Sequence, residues 1–153
     1  MDHKVTLRRA RPSEAKAVRE LIGRSMAHWD RPPAYLAEAR SLMSLSPEDI
    51  KRDEAWVMTD GARVVGFLRV SLSGADAEIE ELHLEPGWIG RGLGRRLFER
   101  AVEAARTLGA DRLVWSTDRY ALGFYLAMGG IVTGSTPSGI AGDEHLTTME
   151  LRL

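Results

Sequence analysis

The amino-acid sequence predicts a mixed α/β (α+β) fold in which strands and helices do not alternate regularly. Seven short segments show the apolar pattern of strands, and four longer segments show apolar residues at helical spacing. Their order is one strand, two helices, three strands, then helix, strand, helix and two strands. At 153 residues, the chain is expected to form a single domain over residues 1–153.

The first strand and two helices precede residue 50. Residues 5–8 alternate in polarity and predict a strand. Ser13, between Pro12 and Glu14, is the expected N-cap of the first helix. The apolar stripe of that helix is Val18, Leu21, Ile22 and Met26. Two prolines within residues 31–33 break the chain, and a short second helix is expected to carry Leu36, Ala39, Leu42 and Met43.

Three consecutive strands are expected in the middle of the chain, at residues 55–58, 63–72 and 77–84. Asp60-Gly61 and Ser73-Gly74 are turn signals that connect them as hairpins. Gly66 lies inside the second of these strands and suggests a β-bulge.

A helix over residues 92–108 has the clearest periodicity in the chain. Its apolar positions are Leu93, Leu97, Ala101, Ala104, Ala105 and Leu108. Gly109 suits its C-terminal cap. The remaining expected elements are a strand at 112–116, a helix at 119–128 and strands at 131–135 and 145–151.

Composition excludes several classes of protein. The formal net charge of −1 argues against a nucleic-acid binder. The absence of cysteine removes disulfides, thiolate catalysis and cysteine metal sites, and no metal centre is expected. No segment resembles a signal peptide or is long enough to span a bilayer, so we expect a cytoplasmic protein without membrane partners.

The glycine-rich segment Gly90-Arg91-Gly92-Leu93-Gly94 follows a strand and begins the 92–108 helix. Glycines allow a ligand close to the backbone, and the unpaired N–H groups and positive dipole of a helix N-terminus favour a phosphate. The segment lacks the Lys-Ser/Thr of a P-loop. Its glycine spacing and its place after three strands also differ from the dinucleotide-binding motif.

Residues 79–97 resemble the acetyl-coenzyme A motif of the GNAT acyltransferase superfamily: a strand, a short loop, and Arg/Gln-x-x-Gly-x-Gly/Ala opening a helix. Ile89 stands where the family usually has Arg or Gln. A second motif, Asp118-x-x-Ala121-x-x-Phe124-Tyr125-x-x-x-Gly129, resembles the family's later signature. There Asp118 replaces the usual Asn, and Gly130 replaces the usual Phe.

The resemblance implies a mostly antiparallel central sheet of six to seven strands with helices on both faces. It also implies acetyl-CoA as cosubstrate and direct acetyl transfer to a primary amine in a ternary complex. The residues it assigns to acetyl-CoA are Leu82, His83, Leu84, Ile89, Gly90, Arg91, Gly92, Leu93, Gly94, Arg95, Asp118 and Phe124.

Tyr125 matches the family's general acid toward the leaving sulfur, and a phenol carries its proton at neutral pH. The base is open: Glu78 matches the base of the histone-acetylating branch, Glu81 and His83 lie nearer the expected acetyl group, and a water could replace any of them. The other reading of His83 is an ordinary sheet histidine.

The acceptor is expected to be cationic, because residues 76–85 hold five carboxylates and no Lys or Arg. Trp29 and Tyr35 are candidate substrate contacts in the connection between the first two helices, and residues 136–145 are the other expected rim. A small-molecule or protein amine would serve as acceptor, and the protein is expected to be a monomer or homodimer. The alternatives are a non-catalytic CoA-binding regulator of the same fold and an interaction domain whose glycine turn is structural.

Overall fold

The computed structural model describes residues 5–42, 44–140 and 145–153, with the side chains of residues 41–42 left out. Seven strands form one sheet in the order β1-β2-β3-β4-β5-β7-β6. Among the strands that the described residues form, only β4 and β5 pair in parallel. The strands are β1 (Val5–Arg9), β2 (Glu54–Asp60), β3 (Arg63–Ser73), β4 (Asp76–Leu84), β5 (Arg112–Thr117), β6 (Ile131–Pro137) and β7 (His145–Arg152).

Helices lie on both faces of this sheet. They are α1 (Ala15–Ala27), α2 (Pro33–Leu42), α3 (Pro47–Arg52), α4 (Leu93–Thr107) and α5 (Leu122–Ala127), with single 3₁₀ turns at Pro12–Glu14 and Pro86–Trp88. The predicted fold class, a mostly antiparallel sheet of six to seven strands with helices on both faces, is therefore confirmed.

Each face of the sheet has its own apolar core. The apolar stripe of α4 packs on one face with Leu68, Val70, Leu113 and Trp115. On the other face, α1 and α3 bury Val18, Ile22 and Ile50 against Ala55, Val57 and Phe67. Alternating strand residues point to opposite faces, so a residue's position on β4 determines which core it meets.

Two β-bulges shape the central hairpins. Met58 pairs with Gly66 and Thr59 with Val64, which leaves Val65 as the extra residue beside the bulge predicted at Gly66. Arg69 pairs with Glu81 and Val70 with Ile79, which leaves Glu80 as the extra residue of β4. A bulge increases local twist and bends the strand away from its neighbour.

The predicted helix boundaries need three corrections. Ser13 is not an N-cap: the chain enters a 3₁₀ turn at Pro12, and the Arg11 backbone N–H donates to the Glu14 carboxylate at 2.7 Å. The predicted 119–128 helix is shorter, because a turn precedes α5. Helix α3 was not predicted, although Ser46 caps it and accepts from the Asp49 N–H at 3.2 Å.

Some predictions fall outside the described residues. Met43 and the side chain of Leu42, expected on the second helix, lie there, as do residues 141–144 of the expected 136–145 rim.

Candidate active site

The candidate site is a cleft where β4 and β5 separate. Their parallel pairing covers only three positions and ends at Glu78 and Val114. Beyond that point β4 stays paired with β3 up to Leu84, while its opposite edge pairs with no strand of the described residues. The separation begins next to the Glu80 bulge and opens a cleft of about 480 Å³.

Most of the predicted site residues line this cleft. They are Trp29, Glu81, Leu82, His83, Leu84, Ile89, Gly90, Gly92, Gly94, Arg95, Asp118, Phe124 and Tyr125. Four predicted residues do not line it: Glu78, Arg91, Leu93 and Tyr35.

The glycine-rich segment forms the entrance to α4 at one end of the cleft. Gly90 has φ +85° and Gly92 has φ +80°, a left-handed conformation that other residues rarely adopt. Gly92 is the N-cap of α4, which begins at Leu93. The first turn of the helix therefore presents N–H groups without intrahelical acceptors toward the cleft.

Gly94 has a different structural role from the other two glycines. A Cβ at this position would lie 3.1 Å from Cε1 of Phe124. Gly94 therefore allows α4 to pack against the ring of α5 that lines the cleft.

The neighbouring side chains divide between core and surface. Leu93, the first residue of α4, is buried in the core between this helix and the sheet. Arg91 lies over the Trp88 ring, with 4.5 Å between its guanidinium carbon and the ring centre. Arg95 is exposed and lines the cleft, which makes it the arginine best placed to meet a bound anion.

Glu81 and His83 form a pair on one face of β4. Their cross-strand partners are Arg69 and Phe67, and Phe67 belongs to the core beneath α1. Nε2 of His83 lies 3.0 Å from Oε1 of Glu81. Leu82 and Leu84 point to the opposite face and pack against the core beneath α4.

The other carboxylates of β4 have separate environments. Glu78 lies at the last β4–β5 pair, where burial raises the pKa of its carboxyl and Glu80 adds to the effect. Glu85 is buried and accepts two hydrogen bonds from Arg24, at 2.8 and 2.9 Å. This ion pair fixes the end of β4 to α1 and gives Glu85 a structural role.

Tyr125 lies in an aromatic cluster on the α4 side of the cleft. Its ring packs against Phe98, Trp115 and Phe124, with centre distances between 5.1 and 6.1 Å. Burial raises the pKa of its phenol, and the carboxylates of Asp118 and Glu81 raise it further. The phenol therefore keeps its proton well into the alkaline range.

The structure explains why Gly130 stands where the family usually has Phe. Gly130 is buried, and a Cβ there would lie 2.6 Å from Cζ2 of Trp115 and 3.0 Å from Cε of Met149. The indole of Trp115 therefore occupies the space next to position 130.

The loop between α1 and α2 closes the other side of the cleft. The Trp29 ring stacks on Tyr120 with 5.3 Å between ring centres. The Arg31 guanidinium lies between Tyr35 and Tyr120, at 4.7 and 5.2 Å from their ring centres, and forms an ion pair with Asp118. Tyr35 thus supports Arg31 from outside the cleft.

Asp118 joins this loop to α5. One carboxylate oxygen pairs with Arg31, and the other accepts the N–H groups of Tyr120 at 2.9 Å and Ala121 at 3.0 Å. The second motif of the sequence identifies Asp118 as a candidate site residue. It does not predict that Tyr120 lines the cleft or that Arg31 pairs with Asp118, because both features depend on a contact between distant segments.

Asp118→Asn is expected to lower the free energy of unfolding by about 1–3 kcal/mol. An amide oxygen can still accept the two N–H groups, but the Arg31 side chain, 8% exposed, loses its ionic partner. Urea unfolding measures the change. Asp111→Asn, an exposed site on the turn before β5, is the matched control and should change stability little. Equal stability of both variants would contradict this role of Asp118.

In the described parts of the chain, no group of three or more His, Asp and Glu side chains is arranged to hold a metal ion. No helix in those parts is long and apolar enough to cross a membrane.

Comparison with known proteins gives matches over nearly the whole chain. Residues 18–129 match the model of the acetyltransferase (GNAT) family. PaiA N-acetyltransferase from Thermoplasma acidophilum, solved with coenzyme A, has a TM-score of 0.80 at 15% identity, covering 97% of this chain and 99% of that one. YncA from Salmonella typhimurium, a putative acetyltransferase solved with acetyl-CoA, has a TM-score of 0.72 at 21% identity, covering 97% and 94%.

A third similar structure is the ribosomal-protein-S18-alanine N-acetyltransferase from Escherichia coli. Its TM-score is 0.71 at 17% identity, covering 97% of this chain and 93% of that chain. At these identities, the structural likeness shows the common fold.

Proposed function

Because this chain belongs to the GNAT acetyltransferase family, as its two motifs predict, we propose that it transfers an acetyl group from acetyl-CoA to a primary amine. The main support for this proposal is the cleft between β4 and β5, which extends from the N-terminus of α4 to Tyr125 and the Glu81–His83 pair. We further propose that residues 1–153 act as one acyltransferase domain, by direct transfer within a ternary complex.

The residues of the cleft fit acetyl-CoA. The N-terminus of α4 offers backbone N–H groups to a pyrophosphate, and Arg95 adds a positive charge beside it. The free edge of β4 at Leu82–Leu84 offers backbone donors and acceptors to the amide groups of a pantetheine arm. Ile89 lines the cleft but has no charge to offer a pyrophosphate. In this proposal, the backbone N–H groups therefore provide most of the binding.

The two sides of the cleft suit different steps of the transfer. Tyr125 lies on the α4 side and keeps its proton, as needed to protonate a leaving thiolate. Glu81 lies on the α1 side, where the wall of Met26 and Trp29 faces the cleft. An amine entering there would meet a carboxylate before it reaches the thioester. Glu78 is set aside as the base in this proposal, since it does not line the cleft.

The acceptor is expected to be cationic in solution, so the KM for the amine should rise with salt as the attraction of the β4 carboxylates is screened. Activity should rise with pH toward a plateau, because an amine with a pKa of about 10 must lose a proton before it attacks. Steady-state kinetics at several ionic strengths and pH values check both trends.

Glu81→Gln should raise the KM or lower kcat. Glu85→Gln would be a poor control for Glu81→Gln, because Glu85 is buried and paired with Arg24. Glu103→Gln removes the same charge from the exposed face of α4 and should leave both constants unchanged. An anionic preferred acceptor with a salt-independent KM would contradict the cationic class but not acetyl transfer.

The test of the function itself is an acetylation assay with a panel of amines and detection of free thiol. The panel should hold small aliphatic amines, amino acids, aminoglycosides and peptide N-termini, since the similar proteins include one named for a protein alanine. CoA binding without thiol release from any member would favour the non-catalytic regulator, and no CoA binding would favour the interaction domain. A thermal shift with CoA separates these two outcomes.

A further inference from the structure

The carboxylate of Glu81 determines which nitrogen of His83 carries a proton. Nε2 of His83 lies 3.0 Å from Oε1 of Glu81, and an ionised carboxylate can only accept. Nε2 of His83 must therefore carry a proton. In the neutral imidazole, Nδ1 is then the unprotonated nitrogen with a free lone pair.

That lone pair is available to the contents of the cleft. Among the described residues, the bond to Glu81 is the only hydrogen bond of the His83 ring. His83 lines the cleft, and 23% of its side chain is exposed.

The charged groups on the neighbouring elements are engaged with other partners. Arg69 of β3 donates to Asp53 at 2.7 Å, and Arg24 of α1 donates to Glu85 at 2.8 Å. Glu80 accepts from Ser71, Arg31 pairs with Asp118 across the cleft, and His28 packs edge-on against Trp29. Tyr125 keeps its proton on the opposite side. Glu81 is thus the carboxylate that orients the His83 ring.

We propose that the imidazole of His83 is the general base of the transfer and that Glu81 is a positioning residue that holds its tautomer. This assignment rests on the proposed acetyltransferase function. Nδ1 of His83 takes one proton from the acceptor ammonium and passes it to solvent. The neutral amine nitrogen then forms a bond to the thioester carbon.

When the carbon–sulfur bond breaks, the sulfur takes the phenolic proton of Tyr125, which solvent replaces. The new amide nitrogen loses its second proton to solvent. The ammonium has then lost two protons, the sulfur has gained one, and one proton is released per turnover.

The test compares two acceptors of similar size at about pH 7.5: ethylamine, which is protonated, and 2,2,2-trifluoroethylamine, whose fluorines lower its basicity and leave it largely neutral. His83→Gln should lower kcat/KM by about 10²-fold for ethylamine, a typical loss for a missing base. For the fluorinated amine, which needs no base before attack, the loss should be within about threefold. Glu81→Gln should show the same selectivity with a smaller loss for ethylamine.

The ratio between the two acceptors separates catalysis from structure. A merely structural role of His83 would lower the activity with both amines equally, and that result would overturn the assignment. Normal turnover of ethylamine by His83→Gln would overturn it as well. If the wild-type protein acetylated no member of the amine panel, the proposed function itself would fail, and this assignment with it.

Discussion

Tyr125→Phe is expected to lower kcat by about 10²–10⁴-fold, the usual loss for a missing general acid. The thiolate of CoA must gain a proton as it leaves, and Tyr125 is the buried phenol beside the cleft. Stopped-time assays of thiol release give kcat. The Kd for CoA and the free energy of unfolding should change little, because the aromatic ring that packs against Phe98 and Trp115 is retained.

The pH dependence gives an independent check on Tyr125. Burial raises the pKa of its phenol above the ordinary value of about 10, so the acid form persists through the usual assay range. Wild-type kcat should therefore not fall between about pH 8 and pH 10 through loss of this proton. Unchanged turnover by a folded Tyr125→Phe variant would remove Tyr125 from the mechanism.

The local patterns of the sequence predict much of this fold. The hairpin turns at Asp60-Gly61 and Ser73-Gly74 and the apolar stripe of α4 depend on neighbouring residues, and all three are present. The bulge at Glu80 also has a local signal in the sequence, because the apolar residues Ile79, Leu82 and Leu84 break the strict alternation of a strand there.

Features that depend on distant contacts could not be predicted. The pairing of Arg31 with Asp118 joins residues 87 positions apart, and nothing near either residue indicates the other. The packing of Arg31 between the rings of Tyr35 and Tyr120 also depends on a contact between distant segments. Helix α3 is a different case, since its capping box is visible in the sequence from Ser46 to Asp49 and only its shortness conceals it.

The candidate site also combines features that the sequence predicts with features that it does not. The two motifs bring their residues to one cleft, as expected of segments that follow neighbouring strands. Side-chain direction is less accessible from sequence: the bulge at Glu80 puts Ile79 on the same face as Leu82 and Leu84, and so leaves Glu81 and His83 on the opposite face. The roles of these residues are predictions for experiment.

Gly94→Val and Gly92→Val are expected to abolish acetyl-CoA binding for different physical reasons. At Gly94 the added Cβ would lie 3.1 Å from Phe124, so the ring or the helix must move and the cleft changes shape. At Gly92 nothing lies within 4 Å of a Cβ, but φ is +80° and the position is the N-cap of α4. A valine there would strain the backbone and fill the space in front of the N–H groups.

Gly61→Val separates backbone strain from a blocked site. Gly61 has φ +60° and no atom within 4 Å of its Cβ, but it lies in the β2–β3 hairpin outside the residues that line the cleft. The Gly61→Val variant should lose about 1–2 kcal/mol of stability from the left-handed conformation and bind acetyl-CoA normally.

Ile89→Arg should not weaken acetyl-CoA binding, since it adds a positive charge to a site whose donors are backbone N–H groups. Calorimetric titration with acetyl-CoA measures all four Kd values. Normal binding by both cleft glycine variants would show that the N-terminus of α4 does not hold the pyrophosphate.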